Sequence, residues 1–508
     1  MGFATLMSER WLFGLGAVFI LSTIITLILN KQQREAALGR LGLRRRRASG
    51  ASTPPRSVSP IKDAKQSGPA KPDYTAQFPP SRRSALPQLA KRATDASREV
   101  FAVKEPASDF LLNDSLPFAQ SFALKNDTLK YTPTGFSTVE VKAMGDFPEY
   151  DILSGVPLPK EYKEFNPATA LPRPYRPFRW AYHQTMSFNK MESDWWLEID
   201  KDYVATIEKR KGIYKKYGKM ILQYLPGSEL ACKELMEMCL QFYCARFPKY
   251  FAISADKKTF RNGLLKEDTD LTSLHPLVVL LNNVPEDFAI VLRNEENGMY
   301  YFRAGVICSS LGWNVGTKIG MELDEIHRPI PDYKEKMSFS MDRYFSKMPT
   351  NTPIQRGSWG LEVGTPLFMP PGDPHEKLRG FQKEDLKIED CYLRVDWQTL
   401  RRLPLSAGIV FNFTALFTPV QEFRDEPYVP SIVKKILKEG KKSLMEYKST
   451  WHVEHVVIPK LEAYEQEQMA KGWMGQEKEG EMEWKVATLE EYPYFPGWED
   501  KWHRQQGY

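Results

Sequence analysis

The 508-residue chain is 42% hydrophobic, 26% charged and 12% aromatic, an ordinary globular composition with side chains enough for a large packed core. Its formal net charge is +6, and Arg44, Arg45, Arg46 and Arg47 supply much of that, which disfavours a general nucleic-acid-binding surface. The five cysteines (Cys232, Cys239, Cys244, Cys308 and Cys391) form an odd, sparse set that argues for free thiols in a reducing compartment. Cys239 and Cys244 match the first spacing of a plant-type iron–sulfur loop, but the cysteine needed three positions on is absent.

After a short segment, 1–10, residues 11–30 read WLFGLGAVFILSTIITLILN, without a charge and long enough to span a bilayer as a helix. A cleaved signal peptide would have a shorter apolar run, basic residues before it and a small-residue cleavage site after it. Here the basic residues follow, at Lys31, Arg34, Arg40 and Arg44 to Arg47, so the charge rule puts the N-terminus outside and the body in the cytosol. On that side the sequons at Asn113, Asn126 and Asn412 carry no glycan. The endoplasmic reticulum is the default membrane, with the mitochondrial outer membrane as the other choice. Residues 31–110 are basic and Ser/Pro-rich with no apolar period, the composition of a disordered tether.

The body is expected over 122–461. Residues 195–217 read as a helix. A second helix is expected over 228–247, with Ser228 as N-cap, Pro248 as stop, and Leu230, Leu235, Met238, Cys239 and Phe242 on its buried face. Strand-like runs follow at 277–281, 288–292, 300–307, 391–397 and 407–416. Helices first, then mixed strands and helices, predict an α+β fold. The tail, 462–508, alternates Glu-rich with Trp/Tyr-rich pieces, as an arm on the body or a partner-binding segment would.

The body lacks the phosphate-cradling loop G-x-x-x-x-G-K-[ST], H-E-x-x-H, G-x-S-x-G and a strand-to-helix G-x-G-x-x-G. Nucleotide hydrolysis, zinc proteolysis, esterase chemistry and a dinucleotide fold lose ground accordingly. Of seven histidines, His452, His455 and His503 fall in or near the polar tail, and His375 in a Pro/Gly-rich loop. His183 and His275 sit in the body beside apolar or aromatic residues. His327 differs, in KIGMELDEIHRPIPDYKEKM: Ile319, Leu323 and Ile326 share a helical face before it, and Pro329 and Pro331 stiffen the chain after it. Such a histidine can point into a cavity as a ligand, or simply satisfy its ring with backbone at a helix end. In LRVDWQTLRRLPLSAGIVFNF, Arg394 precedes Arg401 and Arg402. Paired guanidinium groups suit a dicarboxylate such as haem propionates, and the plain alternative is a solvated basic turn. In PIQRGSW, Arg356 and Trp359 could offer a cation and an aromatic wall.

Taken together, RPYRPFRWAYHQTMSFNKMESDWWLEIDKDY, PEDFAIVLRNEENGMYYFRAGVICSSLGWNVGTKIGMELDEIHRPIPDYKEKMSFSMDRYF, PIQRGSW and LRVDWQTLRRLP resemble, in this order, the alpha subunit of haem-dependent oxidative N-demethylase and its membrane-anchored fungal relatives. The resemblance covers roughly 172–419 and leaves out the anchor, tether and tail. It implies a PAS-like mixed α/β body binding haem b, and O2-dependent oxidation of a small methylated amine with release of formaldehyde. It also implies His327 as the axial ligand to iron, with His183 second. Arg356, Arg401 and Arg402 become propionate or pocket cations, and Trp359 a pocket wall. No flavin or NAD fingerprint and no complete cluster motif is present, so the electrons must come from a separate flavin- or iron–sulfur-bearing reductase. A PAS-like sensor and a membrane-tethered scaffold are the competing readings.

Overall fold

The computed structural model describes residues 132, 134–180, 182, 186–294, 297–474 and 493–508. The apolar run 11–30, the tether, Asn113, Asn126 and His183 lie outside the described residues. No helix among the described residues is long and apolar enough to cross a membrane.

Two short helices, α1 (Thr138–Met144) and α2 (Tyr150–Ser154), lead into β1 (Asn189–Lys190), α3 (Tyr203–Tyr217), β2 (Leu222–Tyr224) and α4 (Glu229–Arg246). A small antiparallel sheet of β3 (Phe251–Ile253), β4 (Thr259–Asn262) and β5 (Glu267–Asp270) precedes α5 (Pro276–Asn283). Next come β6 (Asp287–Arg293) and β7 (Tyr300–Val306), then a helical connection of α6 (Val315–Lys318), α7 (Leu323–His327) and α8 (Phe339–Lys347). The long strands β8 (Ile354–Val363), β9 (Cys391–Arg402) and β10 (Ile409–Pro419) follow. Helices α9 (Val429–Glu439), α10 (Lys442–Lys448), α11 (Trp451–Ala470) and α12 (Trp498–Gln506) close the chain. The main sheet has seven strands in the order β1-β8-β9-β10-β6-β7-β2, every pair antiparallel. The expected α+β class is what the body shows.

Alternation along the strands divides the side chains between two faces. One face carries Leu393, Val395 and Trp397 of β9 and Trp359 and Leu361 of β8, packed under α9 and α11. Further along the same face, Ile290 and Val410 pack against α4 and α5. The opposite face carries Leu400, Ile354, Ile409 and Phe411, covered by Tyr333, Met337, Met341 and Phe345 of the β7–β8 connection. That cover is partial: from Phe413 onward β10 is only half-buried, and so are Arg356, Ser358 and Gly360 on β8. A trough is left open on this face.

A buried ion pair ties α3 to the sheet. Arg210 reaches Asp287 at the start of β6, and Asp287 also accepts from the Cys308 and Ser309 amides at 2.8 and 2.7 Å. Those amides keep the carboxylate solvated inside the protein, without which burying the charge would be costly. The C-terminal piece clamps the body. The Trp502 indole donates to Leu171 O at 2.9 Å, and Gln506 Oε1 accepts from the Leu171 amide at 3.1 Å. Arg176 forks Glu426 at 2.7 Å through both nitrogens, and Lys501 stands 3.3 Å from the same carboxylate. The tail thus has its arm, in 493–508.

Several local expectations need correction. Residues 277–281 are helical: His275 is the N-cap, its Nδ1 accepting from Leu277 N, and Pro276 takes the first turn, where no amide is needed. A short apolar run cannot distinguish strand from buried helix, and the His-Pro start decides it. The helix read over 195–217 starts only at Tyr203, after a 3₁₀ turn over Ser193–Trp195. Ser228 does stand before α4, but its hydroxyl donates to Leu225 O instead of capping the helix. All five cysteines are free. Asn412 is buried in β10, bonded to Glu286 and Thr399, out of reach of any glycosylating enzyme in the folded state.

Candidate functional site

His327 ends α7 on the partly covered face of the sheet. The single helix expected to lead up to it is broken after Lys318, where Gly320 takes a left-handed φ of 85°. Its Nδ1 lies 2.7 Å from Leu323 O. A carbonyl can only accept, so Nδ1 carries the proton and Nε2 keeps the lone pair of the neutral ring. Tyr333 stacks on the imidazole at 5.1 Å with 16° between the planes, fixing its orientation. Burial pushes the ring's pKa down to about 4, and the cations Lys318 and Arg356 push the same way, so it is neutral at physiological pH. A fixed tautomer, a fixed plane and a free lone pair are what a metal-ligating imidazole needs.

Arg356 faces the same trough. It pairs across to Gln398, two residues from Leu400 on the His327 face, and its charge is close enough to act on the imidazole. Its pKa is lowered, first by burial, while Tyr175, Tyr182 and Tyr447 oppose that effect as electrostatic neighbours. It makes no ion pair among the described residues, and its buried Nε has no hydrogen-bond partner. This half-buried guanidinium, with its Nε unsatisfied and no anion beside it among the described residues, is placed to fork a carboxylate-bearing ligand. The trough floor continues with Ser358, Asp396 and Ala415, which are cross-strand neighbours.

The other expected site residues are not gathered here. Trp359 is three residues from Arg356, and on a strand an odd spacing sends a side chain through to the opposite face. It packs there against Phe178 at 5.2 Å, and at the strand edge its ring meets Tyr182 at 5.8 Å and Lys448 at 5.1 Å, whose Nζ donates to Ser358 Oγ at 3.3 Å. Arg401 and Arg402, being adjacent, are likewise split by the sheet. Arg402 lies on the His327 face but is fully engaged, donating to Met348 O at 2.6 Å, Ala407 O at 2.8 Å, the Tyr300 hydroxyl at 3.1 Å and Phe345 O. Arg401 is buried on the far side over Trp196 at 4.1 Å, and burial lowers its pKa to about 10. Neither the paired clamp nor the solvated turn describes them: both are buried in β9, which runs unbroken to Arg402.

The model of the family described as haem-dependent oxidative N-demethylase, alpha subunit-like, matches residues 187–458, more than half of the chain. The chain belongs to this family. The match runs from before β1 into α11 and takes in His327, Arg356 and the whole partly open sheet face. Membership in the N-demethylase alpha-subunit-like family points to haem-dependent oxidative chemistry, and a fixed neutral imidazole with a half-buried, unpaired guanidinium on the same face is a donor set whose chemistry suits a haem. Among the described residues there is no cluster of three or more His, Cys, Asp or Glu able to hold a bare metal ion. Tyr182 and Tyr447 were missed in the sequence because only the fold brings their segments to Arg356. Tyr182, next to His183 in AYHQTM, was the nearer hint.

Proposed function

We propose that the chain is the haem-binding, amine-oxidising component of a membrane-anchored N-demethylase. The observation that carries this is the neutral His327, with Nδ1–H tied to Leu323 O, facing the same trough as the unpaired Arg356. His327 Nε2 would hold the iron and Arg356 a propionate of haem b. When bound, haem supplies dioxygen activation, which no side chain can. The protein's part is to hold the imidazole in one tautomer through Leu323 O, to orient it through Tyr333, and to neutralise a propionate with Arg356. Phe413, Ala415, Gln398 and Asp396 are half-buried on the same face, and a small amine would be held over them. The net reaction is R–NH–CH3 + O2 + 2 e⁻ + 2 H⁺ → R–NH2 + CH2O + H2O, with electrons from a separate reductase.

A PAS-like description is supported by topology. Taking β6, β7, β8, β9 and β10 as strands one to five, their order in the sheet is 2-1-5-4-3, with helices inserted between the second and third strands. His327 sits in that insertion. Residues 11–30 would anchor this body to a membrane from the cytosolic side, beside membrane-bound reductases.

The test is an absorption spectrum of the full chain, purified in detergent after expression with haem supply, beside His327→Ala. We expect a Soret band in the wild type that shifts or disappears in the variant. A folded wild type without a Soret band refutes the reading; an unchanged band in the variant moves the ligand elsewhere, with His183 tested next.

A further inference from the structure

Helix α3 presents Lys209, Gly212, Ile213 and Lys216 at helical spacing along one side of a groove of about 460 Å³. The other side is the loop after β8, with Pro366, Leu367 and Phe368, and His375 closes one end. No carboxylate is among the residues lining this groove, and Asp373 is the acidic neighbour that acts on Lys216. Lys211, on the next face of the helix, is paired with Glu208 and Glu267, but Lys209 and Lys216 make no ion pair among the described residues. Phe368 packs edge-on against Tyr217 at 5.0 Å, so the floor is aromatic beneath a basic rim.

The groove is connected to the trough. Arg394 donates to Pro366 O at 2.7 Å, holding the groove's wall, and also to Asp396 Oδ1 at 2.9 Å. Asp396 lies on the trough floor and acts electrostatically on Tyr447, as does Arg356. One guanidinium therefore separates the groove's wall from the floor on which the reacting group would lie.

We propose that this groove is the docking site of the electron donor, a protein presenting an acidic surface patch around an apolar contact. The proposal rests on the N-demethylase reading, whose reaction consumes two electrons that the chain has no motif to supply. Lys216 rests over the Tyr217 ring at 4.7 Å and neither rim lysine has an ion-pair partner among the described residues, so their charge steers an acidic partner and speeds its association while the aromatic floor gives a dry contact. A shallow groove suits the small, short-lived interfaces of redox encounters better than a permanent subunit contact.

The probe is a small acidic ferredoxin kept reduced by its own reductase, with the full chain in detergent. Two quantities are measured at low and high salt: ferredoxin affinity, by fluorescence titration, and the rate of haem reduction. Lys209→Glu with Lys216→Glu is expected to weaken affinity and slow reduction at least about tenfold at low salt, with the gap closing at high salt. The control pair Lys163→Glu with Lys249→Glu, on exposed positions away from the groove, should stay within about twofold. Reduction by dithionite should be equal in all three proteins. The proposal is overturned if the groove variant binds ferredoxin as the wild type does, or if the control pair weakens binding equally. Because affinity is read without haem, a wild type lacking a Soret band refutes the enzyme reading while the titration still decides the docking site.

Discussion

Arg402 and Arg356 stand on the same sheet face yet are expected to respond in opposite ways to replacement by Met. Arg402 donates to three carbonyls and a tyrosine hydroxyl, all from residues that are themselves buried or packed under α8. In Arg402→Met, Met348 O and Ala407 O are left without that donor, whereas Phe345 O still accepts from the Tyr300 hydroxyl at 3.0 Å. Each stranded buried acceptor costs about 1–3 kcal/mol, and partial relaxation and water entry bring the sum to about 4 kcal/mol. For a body of about 350 residues the unfolding entropy is about 0.7 kcal/mol/K, so Tm should fall by about 5 °C. Arg356 has no ion-pair partner to strand, and Met in its place removes a half-buried charge, so Arg356→Met should leave Tm within about 1 °C or raise it. Haem retention should go the other way: kept by Arg402→Met at temperatures where it is folded, and weakened by Arg356→Met. The assay is thermal unfolding followed by far-UV circular dichroism, with the Soret absorbance read on the same samples. Arg402→Met losing haem at unchanged Tm, or Arg356→Met costing as much stability as Arg402→Met, would refute the assignment of one arginine to the fold and the other to the ligand.

Glu286 is buried under the far face, accepting from Asn412 Nδ2 and from the Glu198 amide at 3.1 Å, and burial pushes its pKa up to about 8. The native state then binds a proton between about pH 4.5 and 8 that the unfolded chain has lost, so stability falls as pH rises through that window. Glu286→Gln should flatten this dependence and be the more stable form at pH 8.5; parallel wild-type and variant stability curves against pH would show the carboxyl is not the cause. At Gly357, an added Cβ would stand 2.5 Å from the Tyr175 ring, so Gly357→Ala should cost about 1–3 kcal/mol in denaturant unfolding. A neutral result would mean that the 175–178 segment is not held against β8.

The sequence alone determined the elements whose signal is local. The span of α4, the strands β6 and β7 and the helix-terminal setting of His327 were legible because alternation and proline stops act within a few residues, whereas α4 is buried nearly all round, Lys233, Glu234 and Glu237 included, and not on one face alone. It also displayed in order the segments that the family match takes in, from SFNKMESDWW to LRRLP, while RPYRP lies before the matched residues. Tertiary structure decided what depends on which face a residue reaches. Whether 277–281 was strand or helix turned on where a buried apolar run found its partners. Arg356 with Trp359, and Arg401 with Arg402, looked like pairs in the one-dimensional chain. A β-strand sends neighbours, and residues three apart, to opposite sides, so the sheet separates each pair. Arg356 comes near His327, and Tyr182 and Tyr447 near Arg356, because antiparallel pairing brings β8 beneath the helical connection that carries the histidine. The physical reason is range: local rules fix the conformation of a segment, and only long-range packing fixes which segments share a pocket.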